Sequence, residues 1–179
     1  MIANILNAIT LSRIFCAILI YLILFLESNY SLALFLFFVA SFSDFLDGYL
    51  ARKTDSVSVL GEILDPIADK LLIVFVLIGL SINLDSFLTG FISAIIISRE
   101  IWVAALRDIN SRNNESDKTK VTFLAKTKTA IQMLAILMYL FGLTLNSMMI
   151  LFFADIILII SLLVTIQTGF QYTISTFKK

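Results

Sequence analysis

Residues 43–70 read SDFLDGYLARKTDSVSVLGEILDPIADK, a charged stretch inside a chain that is otherwise rich in apolar residues. It contains two acidic pairs, Asp44 with Asp47 and Asp65 with Asp69, spaced three and four residues apart. Side chains at these spacings lie on one face of a helix, so each pair forms one acidic surface. A short polar break separates the pairs, which predicts two antiparallel helices that bring four carboxylates together.

The remainder of the chain predicts a membrane protein. Of its 179 residues, 60% are apolar and 15% are charged, whereas soluble domains average about 45–50% and 25%. About 20 apolar residues suffice to span a bilayer. Six segments qualify: 8–26, 31–52, 61–82, 87–107, 123–143 and 147–172. We therefore expect an all-α fold, an integral membrane bundle of six transmembrane helices, in one domain over 1–179.

The positions of the basic residues predict the orientation. All thirteen lie at or near one end of the predicted helices: Arg13, Arg52, Lys53, Lys70, Arg99, Arg107, Arg112, Lys118, Lys120, Lys126, Lys128, Lys178 and Lys179. The loops at the other end carry only Glu27 and Asp85. Since cytosolic loops are enriched in Lys and Arg, we expect both termini in the cytosol. With no organelle transit peptide before the first helix, the expected location is a bacterial inner (cytoplasmic) membrane.

Four carboxylates at one depth need positive charge among them, from basic side chains or from bound metal. The chain has no His and one Cys, which excludes a zinc site built from thiolates and imidazoles. Oxygen ligands suit Mg²⁺, and two ions about 3.5–4 Å apart would fit four carboxylates and a phosphoryl group. Gly48 and Ala51 leave backbone accessible to a ligand on the same face, and Arg52 can bind a phosphate.

The full pattern is D-x2-D-G-x2-A-R-x8-G-x3-D-x3-D, and it resembles the signature of the CDP-alcohol phosphotransferase family. All eight defined positions match, within 26 residues: Asp44, Asp47, Gly48, Ala51, Arg52, Gly61, Asp65 and Asp69. Members of that family are six-helix membrane enzymes, commonly homodimers, with a site that faces the cytosol. They move a phosphoalcohol unit from a CDP-linked donor to an acceptor hydroxyl and release CMP.

The resemblance implies roles for the matched residues. Two divalent cations, Mg²⁺ or Mn²⁺, would be bound by the four acids: Asp44, Asp47, Asp65 and Asp69. Asp69 would also act as the general base. The cytidine diphosphate pocket would be shaped by the other four matched residues: Gly48, Ala51, Arg52 and Gly61.

Three further segments resemble the phosphatidylglycerophosphate synthase branch of the family: NAITLSR at 7–13, SREIWVAALRD at 98–108 and LAKTKTAIQM at 124–133. That branch transfers a phosphatidyl group from CDP-diacylglycerol to sn-glycerol 3-phosphate. Two residues depart from its pattern, because Leu6 stands where Pro is expected and Ala125 where Gly is expected. Both lie outside the catalytic signature.

A dianionic acceptor such as glycerol 3-phosphate requires cations close to the acids. We expect Arg107, Lys126 and Lys128 to bind its phosphate, with Arg99 or Arg112 as lesser candidates. Each of these residues has an alternative interpretation, as an interfacial cation that reaches the lipid headgroups.

Polar residues inside the predicted spans allow two interpretations each. The first helix carries a stripe at three-residue spacing: Asn7, Thr10 and Arg13. We expect Asn7 and Thr10 to bind the nucleotide, although the stripe could instead anchor an interfacial turn. Arg99–Glu100 could pair with another helix or contact substrate. Asp155 is expected to make a hydrogen-bonded packing contact or to line a wet crevice.

Alternatives of three kinds stay open at this point. Within the family, cardiolipin synthase and phosphatidylinositol phosphate synthase use the same donor with other acceptors. A divalent-cation or proton transporter would also need intramembrane acids, but the acids here cluster at one end of the bundle and no inverted repeat is evident. A structural protein would use the same charges only for pairing.

Overall fold

The computed structural model describes residues 2–54, 59–113, 119 and 123–178; within them, side chains are described except at 2–6, 44–54, 59–60, 62–63 and 123–126. The described residues form six α-helices and no strand: α1 (Ile2–Phe25), α2 (Tyr30–Thr54), α3 (Val59–Asn83), α4 (Phe87–Arg112), α5 (Phe123–Thr144) and α6 (Met148–Phe177). The prediction of an all-α membrane bundle with six helices is confirmed.

The described residues contain four helical segments that are long and apolar enough to cross a membrane: Asn7–Phe25, Phe87–Arg112, Thr127–Thr144 and Met148–Phe177. In α2 the described apolar part is shorter, Tyr30–Ser43. The beginning of α3 carries charged residues such as Asp65, Asp69 and Lys70. The spans predicted at 31–52 and 61–82 therefore stay predictions.

The core of the bundle lies around α3. This helix packs on α1, α4 and α5, while α6 packs on α4 and α5, and α2 packs on α1 and α5. Apolar side chains at helical spacing on α3 are fully buried: Leu72, Val76, Leu77 and Leu80. They meet buried side chains of the other helices, among them Ile20, Phe37, Ile92, Ile136 and Leu158.

Large apolar side chains also cover the outer surface. All six helices expose them, with Phe15, Phe35, Phe91, Phe141 and Phe170 among the examples. In water, so large an apolar surface would drive association, whereas lipid tails solvate it without penalty. The surface therefore agrees with a bundle that is surrounded by lipid.

Three loops at one end of the bundle are closed in the same way. Glu27, Asp85 and Asn146 each adopt a left-handed backbone, with φ of 48°, 45° and 48°. Each is followed by a serine whose N–H donates to the carbonyl five residues earlier, at 2.9–3.1 Å. The left-handed residue itself donates to the carbonyl three residues earlier, at 3.2 Å. This is a Schellman motif, which satisfies the last carbonyls of α1, α3 and α5.

Contacts between helices bring the charged ends together at the other end of the bundle. The early turns of α1 meet the early turns of α3, through a bond from Thr10 to Asp65. The late turns of α4 meet α6, through a bond from Asn110 to Thr176. Lys128, early in α5, contacts α4. This grouping agrees with the predicted clustering of charge at one end.

Candidate active site

Helix α1 provides polar partners for the acids of α3. Thr10 Oγ1 donates to Asp65 Oδ1 at 2.7 Å, and Arg13 Nη1 donates to Asp69 Oδ1 at 2.9 Å. The two helices thus meet in register over one turn, because the members of each pair are three or four residues apart. Arg13 is 1% exposed, so α1 places a buried positive charge against Asp69. The sequence identified the stripe, but it did not identify Arg13 as the counterion of Asp69.

For several predicted site residues the structure describes the backbone but not the side chain. Helix α2 includes the backbone of five of them, Asp44, Asp47, Gly48, Ala51 and Arg52, and α5 includes that of a sixth, Lys126. Gly61 is described on α3, one turn before Asp65, and is half-buried. Asn7 is also half-buried, one turn before Thr10 on α1. Their predicted roles in metal, nucleotide and phosphate binding stay predictions.

A cavity of about 370 Å³ opens beside Asp69, between α3, α4 and α5. Among the residues whose side chains the structure describes, its charged lining comprises four cations and two carboxylates: Lys70, Arg99, Arg107, Lys128, Asp69 and Glu100. The formal charge of these six groups is +2, which suits a small anion. The structure thus places Arg107 and Lys128 together with Asp69 around one cavity, as the sequence predicted. Arg99, one of the two lesser candidates, lines it as well.

Glu100 is the central acid on the α4 side of the cavity. Its Oε1 pairs with Lys128 Nζ of α5 and, at 3.0 Å, with Arg99 Nη1 of its own helix. The three side chains are 19%, 7% and 9% exposed. One carboxylate therefore holds two largely buried cations, which desolvation would otherwise make costly. The pairing with Lys128 confirms the interpretation that Arg99–Glu100 bonds to another helix. Because Arg99 and Glu100 also line the cavity, the interpretation that they contact substrate stays a prediction.

Helix α6 fixes Arg99 from the opposite side. Arg99 Nε donates to the carbonyl of Thr165 at 3.2 Å, and Arg99 Nη2 donates to Thr168 Oγ1 at 2.8 Å. The ring of Tyr172, one turn later, has its centroid 5.8 Å from Cζ of Arg99 and 5.4 Å from Cζ of Arg107. The sequence did not identify the contribution of α6, because no charged residue marks this face.

Two other predicted candidates lie apart from the cavity. Arg112 forms an exposed pair with Asp108 at 2.8 Å, one turn away on α4. Asp155 accepts a hydrogen bond from the hydroxyl of Tyr139, a buried residue of α5. The predicted packing contact of Asp155 is confirmed.

The described acids have the chemistry that a hard divalent cation requires. Asp65 and Asp69 present carboxylate oxygens one turn apart on α3, and such oxygens are the ligands that Mg²⁺ and Mn²⁺ prefer. The hydroxyl of Thr10 orients Asp65, as the hydrogen-bond partners of metal-binding carboxylates commonly do. The described residues contain no group of three potential metal ligands; the side chains of Asp44 and Asp47 are outside that set.

Comparisons with known proteins show which family the chain belongs to. A model of the CDP-alcohol phosphatidyltransferase family matches residues 3–167. The chain is 37% identical over 172 residues to the CDP-diacylglycerol–glycerol-3-phosphate 3-phosphatidyltransferase of Rickettsia bellii, covering 94% of this chain and 93% of that protein. The protein of the same name from Rickettsia felis is 36% identical over 174 residues, covering 94% and 93%. The Escherichia coli protein of that name is 31% identical over 135 residues, covering 74% of each chain. The chain belongs to the CDP-alcohol phosphatidyltransferase family.

Proposed function

We propose that this chain transfers a phosphatidyl group from CDP-diacylglycerol to sn-glycerol 3-phosphate, releasing CMP, in phospholipid synthesis. The relatives described above carry that activity in their names, and the family generally uses divalent metal ions. We propose two ions, Mg²⁺ or Mn²⁺, bound by Asp44, Asp47, Asp65 and Asp69. The nucleotide would contact six residues on three helices: Asn7, Thr10, Gly48, Ala51, Arg52 and Gly61.

One observation carries the proposal, namely the cavity that runs from Asp69 to the cations of α4 and α5. Its volume of about 370 Å³ falls within the usual range for small-molecule sites. A phosphorylated triol is small enough for this space, and it would meet Arg107, Lys128 and Asp69, which all line it. Lys126, three residues after the start of α5, is proposed as a third phosphate ligand.

The chemistry assigned to the chain's own residues follows from this placement. Arg107 and Lys128 hold the phosphate of the acceptor, which directs its terminal hydroxyl toward Asp69. The hydroxyl oxygen bonds to the phosphatidyl phosphorus, the bond from that phosphorus to the CMP oxygen breaks, and the hydroxyl proton moves to Asp69. Arg13 keeps the Asp69 carboxylate oriented. When bound, the divalent ions supply positive charge to the pyrophosphate in the transition state.

The proposal predicts an acceptor preference. Protein purified in mixed micelles is given CDP-diacylglycerol with sn-glycerol 3-phosphate, inositol phosphate or phosphatidylglycerol, each in a separate reaction. We expect phosphatidylglycerophosphate and an equal amount of CMP from the first, no turnover of the others, and loss of activity after chelation of divalent cations. Mass spectrometry of the lipid product reads the result.

Other outcomes would contradict the proposal in different ways. Turnover with inositol phosphate or phosphatidylglycerol alone would reject the branch and keep the family reaction. Inactivity with every acceptor, together with uptake of divalent cations by reconstituted vesicles, would favour transport.

We further propose a homodimer in the bacterial cytoplasmic membrane, with both termini and the site facing the cytosol. The one-sided distribution of Lys and Arg supports the orientation.

In a Cys16→Ala background, a membrane-impermeant maleimide should label Ser28→Cys in right-side-out vesicles and Asp108→Cys in inverted vesicles. The reverse pattern would contradict the orientation, and cross-linking in native membranes that yields only monomers would contradict the dimer.

A further inference from the structure

Tyr172 lies between two arginines of the cavity, although it is not part of the cavity wall. Its ring centroid is 5.4 Å from Cζ of Arg107 and 5.8 Å from Cζ of Arg99. The residue is 4% exposed and belongs to α6. It follows the last residue matched by the family model, residue 167. The family match therefore assigns it no role.

The path of Arg99 depends on the same face of α6. A Cβ added at Gly169 would lie 3.1 Å from Cγ and 3.3 Å from Nε of Arg99, so glycine leaves the room that the side chain needs. The guanidinium then bonds to Thr165 and Thr168 and ends over the ring of Tyr172. Three consecutive turns of α6 thus define one position for Arg99.

Arg107 depends on Tyr172 in a different way. It is exposed, and among the described residues no carboxylate lies within ion-pair distance of its guanidinium. A long side chain in this situation samples many rotamers, and ordering it opposes ligand binding. An aromatic face attracts a guanidinium and reduces that freedom before the ligand arrives.

We propose that Tyr172 is a positioning residue for acceptor binding, which holds Arg99 and Arg107 as a preformed pair facing a phosphate monoester. The inference rests on the proposed function, since it assigns the cavity to the phosphorylated acceptor. Tyr172 acts through the two arginines and not by touching the acceptor. Its removal should therefore weaken acceptor binding while leaving donor binding unchanged.

The first test compares Tyr172→Leu with Tyr172→Phe, which keeps the ring and is the matched control. For Tyr172→Leu we expect the KM for sn-glycerol 3-phosphate to rise about 5- to 30-fold, with the KM for CDP-diacylglycerol within about twofold and kcat little changed. For Tyr172→Phe we expect the acceptor KM within about twofold to threefold of the wild-type value. Equal acceptor KM values for the two variants would overturn the inference.

A second measurement covers the case in which Tyr172→Leu does not fold. Phenylalanine with one, two and three ring fluorines is introduced at position 172 by amber suppression, which weakens the attraction for cations while nearly preserving ring shape. The acceptor KM should rise with each fluorine. The same series at Tyr21, whose ring packs on Phe25 and Phe75, should leave it unchanged. A flat series at position 172 would overturn the inference.

The two proposals fail separately in these experiments. If the wild-type protein does not use sn-glycerol 3-phosphate but uses another acceptor, the proposed function is wrong. If the wild-type protein uses it and the fluorinated series is flat, the proposed function stands and the role of Tyr172 is wrong.

Discussion

Replacing Asp69 with Asn is expected to abolish phosphatidyl transfer, with kcat/KM falling by about 10³-fold or more. The substitution removes the proposed proton acceptor and one negative charge from the metal site, while the shape of the side chain is kept. CMP release and the lipid product, measured over a range of sn-glycerol 3-phosphate concentrations with CDP-diacylglycerol at saturation, give kcat/KM for the acceptor. Activity above about a tenth of the wild-type value would contradict the assigned role.

The contact with Arg13 dictates the controls for this experiment. Asp69→Asn also deprives the buried guanidinium of Arg13 of a carboxylate partner, so some loss of stability is expected with the loss of activity. Size-exclusion profiles and thermal unfolding in the same detergent separate the two effects. Asp108→Asn, which removes an acid of the exposed pair on α4, is the matched control and should keep full activity.

Replacing Glu100 with Gln is expected to lower the free energy of unfolding by about 2–4 kcal/mol. The substitution leaves Lys128 and Arg99 without their shared carboxylate, although their side chains are only 7% and 9% exposed. Reversible unfolding of the detergent-solubilised protein, followed by circular dichroism, gives the difference from the wild-type protein.

Two companion variants show whether burial is the cause. Asp108→Asn breaks a pair whose side chains are 58% and 76% exposed, and it should change the free energy of unfolding by less than about 1 kcal/mol. Adding Lys128→Met to Glu100→Gln removes one of the unpaired cations and should recover part of the stability, because a buried charge is replaced by an apolar group of similar length. Equal losses for Glu100→Gln and Asp108→Asn would contradict the proposed contribution of the buried network.

Much of the helical framework could be predicted, because its signals are local. Apolar segments and the polar breaks between them gave six helices, and the three-residue spacing of Thr10 and Arg13 gave one polar face on α1. That face indeed meets Asp65 and Asp69. The positions of the cations along their helices placed Arg107 and Lys128 near the acids, and both line the cavity beside Asp69.

The partners between helices could not be predicted, because spacing within a helix says nothing about its rotation against a neighbour. Arg99–Glu100 was expected to pair with another helix or to contact substrate, but the sequence did not identify Lys128 of α5 as the partner. Tyr172 carries no charge and belongs to no recognised pattern, so only the packing of α4 on α6 brings it to the arginines. Gly169 likewise has a role only where a second helix passes close to it.

The Schellman turns bear on how the chain enters the bilayer. If the site faces the cytosol, three short turns in the described part of the chain have to cross the lipid, at 26–29, 84–86 and 145–147. The N–H groups of residues 26–28, 84–86 and 145–147 are already engaged with carbonyls of the preceding helix end, which lowers the penalty for passing peptide groups through hydrocarbon. Glu27 and Asp85 are the two charged side chains in these turns. Each turn, with the two helices that it joins, is thus suited to insert as a preformed unit.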